Sequence, residues 1–308
     1  MILCAGEALV DMIPGDMTTG EPGFIPRPGG SVYNTAIALG RLGEAVALAT
    51  ALSSDVFGAQ LELHATASGV SLAPAARTDR LTTLAVVAMQ AGQAHYAFYD
   101  VGSALREVQP GDFNLPEAAP SAALFGGISL VPEPCATTFE TLCAGLKARG
   151  VPIMLDPNIR TAFVTDEAAF RARMGRMLAM ADIVKVSDED LAWLSGGGSV
   201  EAAAADLLAQ GPVLVCVTRG PEGVVAYRET GMVQVPSPVV QVADTVGAGD
   251  TFNAGLLAGL SRAGALGRDA LARLSEADLS GALALGTAAA AVCVSRNGAN
   301  PPWQSELG

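Results

Sequence analysis

The sequence predicts an α/β fold, a doubly wound, mostly parallel sheet flanked by helices. Short apolar runs alternate along the chain with longer amphipathic or Ala-rich stretches, the rhythm of βα units around a parallel sheet. Half of the 308 residues are apolar, ample for a large core. That length fits two average domains or one large α/β domain, and no segment reads as an interdomain linker, so a single domain over residues 1–308 is expected.

The elements follow in order. Residues 2–5 form the first strand, and Asp11 follows it after Gly6-Glu7-Ala8-Leu9-Val10, at a carboxyl end where α/β ligands bind. Residues 12–28, rich in Gly and Pro, break the rhythm. A helix over 33–42, a strand over 45–49 and a helix over 57–67 come next. Residues 82–99 break the rhythm again, alternating like an antiparallel ribbon (Leu84, Val86 and Ala88 against Ala85, Val87 and Met89) with a turn at Ala91-Gly92. The two off-rhythm segments read either as a small sheet standing off the core or as an edge hairpin. Strands at 122–126, 152–156, 183–186, 213–218 and 223–227 then alternate with helices at 135–149, 167–180 and 200–210. Helices over 249–263 and 279–294 close the chain.

Composition removes several classes of function. Acidic residues outnumber basic ones by 31 to 18, a net charge of −13. Such a chain repels nucleic acids and anionic membrane surfaces, although backbone amides can still bind a small phosphate-bearing ligand. Two histidines, His64 and His95, leave little for a His-built zinc centre. Five cysteines, with no C-x-x-C among them, predict buried thiols in a reduced compartment. The N-terminal residues lack the basic region of a signal peptide. The Ala/Gly-rich uncharged run 279–295 is slightly short of a membrane span of ~20 residues. A cytoplasmic protein with no nucleic-acid or membrane partner is expected.

Chemistry concentrates in Asp244-Thr245-Val246-Gly247-Ala248-Gly249-Asp250-Thr251-Phe252. The glycines allow close backbone approach, and a helix follows at once, so free amides and the macrodipole attract an anion there. Asp250 places a carboxylate beside that anion site. It reads either as a helix cap or as the acceptor for the proton of a hydroxyl attacking a bound phosphoryl group. A second cluster, Gly29-Gly30-Ser31-Val32-Tyr33-Asn34-Thr35-Ala36, also opens a helix. Asn34 on its first turn and Asp11 after the first strand are suited to hydrogen-bonding a polyol. Neither a Walker A motif nor G-x-G-x-x-G is present, which argues against a dinucleotide oxidoreductase.

Together these segments resemble the ribokinase-like (PfkB) carbohydrate kinases over essentially the whole chain. The Gly-Gly-x-x-x-Asn-x-Ala signature matches 29–36, and Asp-Thr-x-Gly-Ala-Gly-Asp matches 244–250. Within that family, Gly6-Glu7-Ala8-Leu9-Val10-Asp11, Tyr96-Ala97-Phe98-Tyr99, Asp156-Pro157-Asn158-Ile159-Arg160, Lys185-Val186-Ser187-Asp188-Glu189-Asp190-Leu191 and Asn300-Pro301-Pro302-Trp303 are most similar to bacterial fructokinases.

The resemblance implies a small β-sheet lid at about 12–28 and 82–99, and transfer of the γ-phosphoryl group of ATP to a sugar hydroxyl. D-fructose is the expected acceptor and fructose 6-phosphate the product. It further implies Asp250 as base, with Gly247, Ala248 and Gly249 as the anion hole and Arg160 near the sugar or the transferring phosphate. Asp11, Gly30, Asn34 and Phe98 match sugar-side positions. Lys185, Thr218, Arg219, Gly220, Gly223, Gly247, Gly249 and Asn297 match the nucleotide side. Many relatives carry Asn-x-x-Glu where this chain has Ser187 and Asp190, so either Glu189 or Asp190 is left to organise Mg²⁺ through water. K⁺ near Asp244 and a homodimer paired through lid strands are also implied. A 2-keto-3-deoxygluconate kinase shares most motifs, and its acid substrate would require a cation such as Arg106 or Arg160. A catalytically silent sugar or nucleotide sensor would have no need of Asp250.

Overall fold

A computed structural model describes residues 1–16, 18–90 and 93–307. Among these, nine strands form one sheet. Its order is Gly231–Val235, Val224–Arg228, Leu214–Thr218, Ile183–Ser187, Ile153–Asp156, Ala122–Gly126, Ile2–Ala5, Val46–Ala49 and Val70–Ser71. Pairing is parallel from Leu214–Thr218 onward and antiparallel in the first two strands.

The period-2 alternation of each central strand builds two cores, one on each face. Ile2 and Cys4 join Leu124, Met154 and Cys216 on the face covered by the helices Ser31–Arg41, Ala248–Arg262 and Glu276–Val294. Leu3 and Ala5 join Phe125, Leu155 and Val217 on the opposite face, under Cys135–Ala148, Glu167–Met180 and Val200–Leu208. Strands buried on both sides read as continuous apolar runs, which is why they were legible. Ile2 pairs with both Ala122 and Val46. The chain therefore leaves the first strand in one direction and later returns to its other side. That reversal opens a crevice at the carboxyl ends of Ile2–Ala5 and Ala122–Gly126, where α/β proteins bind ligands.

The off-rhythm segments form a separate four-stranded sheet, ordered Pro22–Gly29, Leu9–Asp16, Leu84–Gln90, Gln93–Tyr99. An edge hairpin on the main sheet is ruled out, because Leu84–Gln90 pairs in parallel with Leu9–Asp16 (Val10 opposite Leu84). Asp11 accordingly lies within a strand, opposite Arg27, and not in a loop. The turn expected at Ala91-Gly92 falls outside the described residues.

The sequence did not yield the Asp188–Ser195 helix. Its signals are Ser187, whose hydroxyl accepts the Asp190 N–H at 3.0 Å, and three acids in the first turn. The short strands Ala51–Ser53, Ala76–Thr78 and Gly231–Val235 and the Arg268–Ala272 helix were also missed, each too brief for a clear period. The Glu276–Val294 helix is long and apolar enough to cross a membrane by length and composition. Here its small residues serve close packing. A Cβ on Gly255 would stand 2.6 Å from Gly286 Cα, so the Ala248–Arg262 helix approaches with almost no space between backbones. All five cysteines are buried and unpaired, and burial pushes the Cys135, Cys143 and Cys216 thiols up to about 12.

Candidate active site

The Ala248–Arg262 helix opens from Gly247, which has a left-handed φ of 78° and no side chain to cap the helix. A Cβ there would lie 2.7 Å from Ala299 Cβ, so glycine is required on both counts. Among the described residues nothing accepts from the N–H groups of Gly249 and Asp250, leaving orphan donors at a positive helix end.

Asp250 sits in that first turn, 7% exposed. Its Oδ2 accepts from Asn34 Nδ2 at 2.9 Å, and the Thr35 hydroxyl donates to its carbonyl at 3.2 Å. Burial pushes the carboxyl up to about 6, with Asp156 adding to the rise while the Asn34 hydrogen bond and the Lys185 charge oppose it. Asp250 is thus mainly ionised at neutral pH yet much closer to titration than an ordinary aspartate.

Beneath the glycine run lies a buried polar network. Lys185 Nζ donates to Asp156 Oδ2 at 3.1 Å, and Asn253 Nδ2 donates to the same oxygen at 2.6 Å. A Cβ on Gly249 would come within 2.8 Å of Nζ, so the glycine makes room for the ammonium. Burial disfavours the charge on Lys185, but Asp156, Asp190 and Asp250 outweigh it and raise the pKa. Lys185 remains a cation. Asp156 Oδ1 and Asn253 Oδ1 are buried with no hydrogen-bond partner among the described residues.

These groups open on a cavity of about 610 Å³, which brings together Asp11, Gly30, Asn34, Phe98, Arg160, Lys185, Glu189 and the run from Gly247 to Asp250. Asp11 lies against Gly29, where any Cβ would overlap its carboxylate. Burial, then the Asp250 charge, push Asp11 up to about 6, and Arg160 counters them. Arg160 has no carboxylate within ion-pair distance among the described residues, and its Nη1 reaches the Ile159 carbonyl at 3.3 Å. Phe98 meets Phe163 edge to face at 3.7 Å between centroids and, with Leu9 and Ile128, makes an apolar wall. Asn158, also lining the cavity, holds φ at 42°, the one positive φ outside glycine among the described residues.

Other expected site residues lie outside this cavity. Thr218 ends a strand beside Ser187. Arg219 pairs with Glu222 at 3.5 Å, Gly220 and Gly223 bound the short turn between two strands, and Asn297 follows the last helix. The Asp244 oxygens accept from Val246 and Gly298 N–H at 3.0 and 2.9 Å. Asp190 is buried and accepts from Ile159 N at 3.0 Å, whereas Glu189 is exposed to the cavity. Arg106 is bound to Asp100 at 2.8 Å and to the Glu133 carbonyl at 3.0 Å, which removes it as a partner for an acidic substrate.

Glu7, Asp156, Asn158, Phe163 and Asn253 belong to the site although no role had been read for them. Glu7 had a signal, an acid in the otherwise uncharged run from residue 1 to 10. Asn253 had none, since a buried polar residue on a helix face is visible only once the face is known.

A buried carboxylate beside orphan helix amides, at the switch point of a doubly wound sheet, is suited to phosphoryl transfer onto a hydroxyl. Residues 1–306 match the pfkB family of carbohydrate kinases, and the chain belongs to that family. A fructokinase from Rhizobium leguminosarum bv. trifolii is 48% identical over 278 residues, 90% of this chain and 84% of its own. Fructokinase from Xylella fastidiosa, solved with bound ATP, superposes with a TM-score of 0.91 at 28% identity, covering 99% of this chain and 96% of that one. Fructokinase from Vibrio cholerae O395, solved with fructose, ADP and calcium ion, gives 0.86 at 26% identity over 99% and 97%. The chain is a carbohydrate kinase with the ribokinase-like fold.

Proposed function

We propose that the enzyme transfers the γ-phosphoryl group of ATP to a primary hydroxyl of D-fructose, giving fructose 6-phosphate. The observation that carries the chemistry is Asp250, buried, held by Asn34 and placed beside uncapped helix amides. The 48% identity to a bacterial fructokinase supports the choice of sugar.

The sugar lies in the 610 Å³ cavity against the Phe98–Phe163 wall, with Asp11, Gly30 and Arg160 around it. Asp250 accepts the hydroxyl proton as the oxygen attacks phosphorus. The amides of Gly247, Gly249 and Asp250 bind the charge that develops on the transferring group, and Lys185 adds a fixed cation beneath them. The Ala248 N–H, expected in the same role, donates instead to the Thr245 carbonyl at 3.3 Å. Thr218, Arg219, Gly220, Gly223 and Asn297 bind the rest of the nucleotide.

No group of three His, Cys, Asp or Glu side chains gathers to hold a metal among the described residues. A solvent-exposed carboxylate on the cavity wall, Glu189, suits Mg²⁺, which keeps several waters and takes its other ligands from phosphates. Glu189 would hold it through water, while Asp190 is committed to the Ile159 amide. The ion supplies charge neutralisation on the ATP phosphates. Each Asp244 oxygen keeps a lone pair beyond its one backbone donor, which suits a monovalent cation such as K⁺.

The small sheet acts as a lid on a single domain spanning 1–308, since its strands carry Asp11 and Phe98 to the cavity. Its exposed Phe24, Ile25 and Tyr99 suit a homodimer paired through lid strands. Five unpaired cysteines suit a cytoplasmic enzyme.

A coupled ADP-release screen over fructose, ribose, glucose, adenosine and 2-keto-3-deoxygluconate tests the assignment. Fructose is expected to give the highest kcat/KM. A clear preference for another acceptor overturns the sugar, and no turnover with any acceptor favours the sensor.

A further inference from the structure

Glu7 lies outside both glycine motifs, yet its carboxylate joins the two sides of the crevice. It is 1% exposed. Its Oε1 accepts from Ser31 N at 2.9 Å and its Oε2 from Ser129 N at 3.3 Å. Its own carbonyl accepts from Tyr33 N at 3.2 Å. Ser31 begins the Ser31–Arg41 helix, whose N-cap is Gly30 and has no side chain to offer. The helix is therefore capped by a carboxylate 24 residues distant, satisfying an orphan amide and the positive helix end together. Ser129 belongs to the Gly127–Leu130 turn that follows the strand on the other side of the switch point.

The fit around the carboxylate is close. Gly127 has a φ of 66°, and any Cβ there would overlap Glu7 Oε1. The groups facing Glu7 are the two amides, the Ser129 hydroxyl, the Asp250 charge and the Cys135 thiol. No cation pairs with Glu7 among the described residues. Burial raises its pKa, and the hydrogen bonds oppose that rise. A carboxyl kept here without a counter-charge has its two amide contacts to explain it.

Three residues beyond the capped amide, on the same first turn, Asn34 donates to Asp250. An ångström of drift in that helix end would break a 2.9 Å hydrogen bond. We propose that Glu7 is a positioning residue for phosphoryl transfer, locking the N-terminus of the Ser31–Arg41 helix to the Gly127–Leu130 turn and so holding Asn34 on Asp250. The proposal rests on Asp250 being the base.

Glu7→Gln tests it. The amide can accept from one backbone N–H but turns its NH₂ toward the other, donor against donor. The expected result is a fall in kcat at pH 7 of roughly 3–10-fold, no larger than loss of the Asn34 hydrogen bond itself would give, with KM for ATP within twofold of wild type. A kcat within twofold of wild type overturns the proposal.

The double variant with Asn34→Ala separates positioning from general support of the fold. If Glu7 works through Asn34, adding Glu7→Gln to Asn34→Ala changes kcat less than twofold. The same factor in both backgrounds overturns the proposal. Should Glu7→Gln not fold, Ser31→Pro removes the amide that Glu7 holds at a helix position where proline is tolerated, and Ser31→Ala keeps it. Ser31→Pro is expected to be at least roughly fivefold slower than Ser31→Ala, and equal rates overturn the proposal. An active Asp250→Asn enzyme instead removes the base assignment on which all of this stands, so the two failures are distinguishable.

Discussion

Replacing Asn34 by alanine is expected to move the acid limb of the pH–rate profile toward higher pH. The Asn34 amide donates to Asp250 Oδ2 at 2.9 Å inside a buried pocket and favours the ionised form. A hydrogen bond to a charged group is worth roughly 1.5–3 kcal/mol, and at 1.36 kcal/mol per unit its loss raises the carboxyl by roughly 1–2 units. Asp250 starts at about 6, so the variant titrates near roughly 7–8. The base acts only when ionised. Its working fraction at pH 7 therefore drops from roughly nine-tenths to between a half and a tenth, and returns by about pH 9. Asp11 titrates in the same range, also at about 6, so the wild-type limb belongs to the pair, and the shift acts on its Asp250 member. The assay is kcat/KM for fructose from pH 5 to 9.5 at saturating ATP. A limb that stays in place while the high-pH plateau falls would refute the reasoning and assign the Asn34 amide to the sugar instead.

Asp11→Ala should lower kcat/KM for sugar by roughly 10–150-fold, the worth of one hydrogen bond to a charged acceptor, while calorimetry finds ATP affinity unchanged. Lys185→Met leaves Asp156 as an uncompensated buried charge and should cost about 3–5 kcal/mol in denaturant unfolding. Adding Asp156→Asn should recover most of that stability without recovering turnover. Glu189→Gln should raise the Mg²⁺ concentration for half-maximal rate, whereas Asp190→Asn, which disturbs the Ile159 amide contact, should act mainly on thermal stability.

The parallel strands were readable because burial on both faces demands unbroken apolar runs, as at Val184 and Val186 or Val215 and Val217. The small sheet was readable only as a break in rhythm. Its identity depends on Leu9–Asp16 pairing with a strand some seventy residues later (Val10 opposite Leu84), which no local pattern encodes. In the site, the 244–250 cluster declared itself because anion binding at a helix end favours glycine there, and the 29–36 cluster because paired glycines open a helix with Asn34 on its first turn. The contacts between them were hidden. Asn34 and Asp250 are 216 residues apart in sequence, and nothing in either motif says that the amide holds the carboxylate. Lys185 is a charge inside an apolar strand, but its partner Asp156 comes from a neighbouring strand, and Asn253, which donates to the same oxygen, from a helix above. Glu189 and Asp190 differ by helix phase: one step along the Asp188–Ser195 helix separates a side chain in the cavity from one buried against Ile159.

The central claim is that Asp250 takes the proton of the attacking hydroxyl, and Asp250→Asn measures it most directly. The substitution keeps the side chain's size and leaves an oxygen to accept from Asn34, while removing the proton acceptor and a buried charge. Turnover, ATP affinity and thermal midpoint are measured on one preparation. The expected result is a kcat lower by about 10²–10⁴-fold, the usual worth of a positioned base, with ATP bound at least as well and a midpoint no lower than wild type. A helix cap would behave differently, losing roughly 1 kcal/mol of stability with turnover nearly intact. More than a tenth of wild-type kcat in this variant would contradict the account.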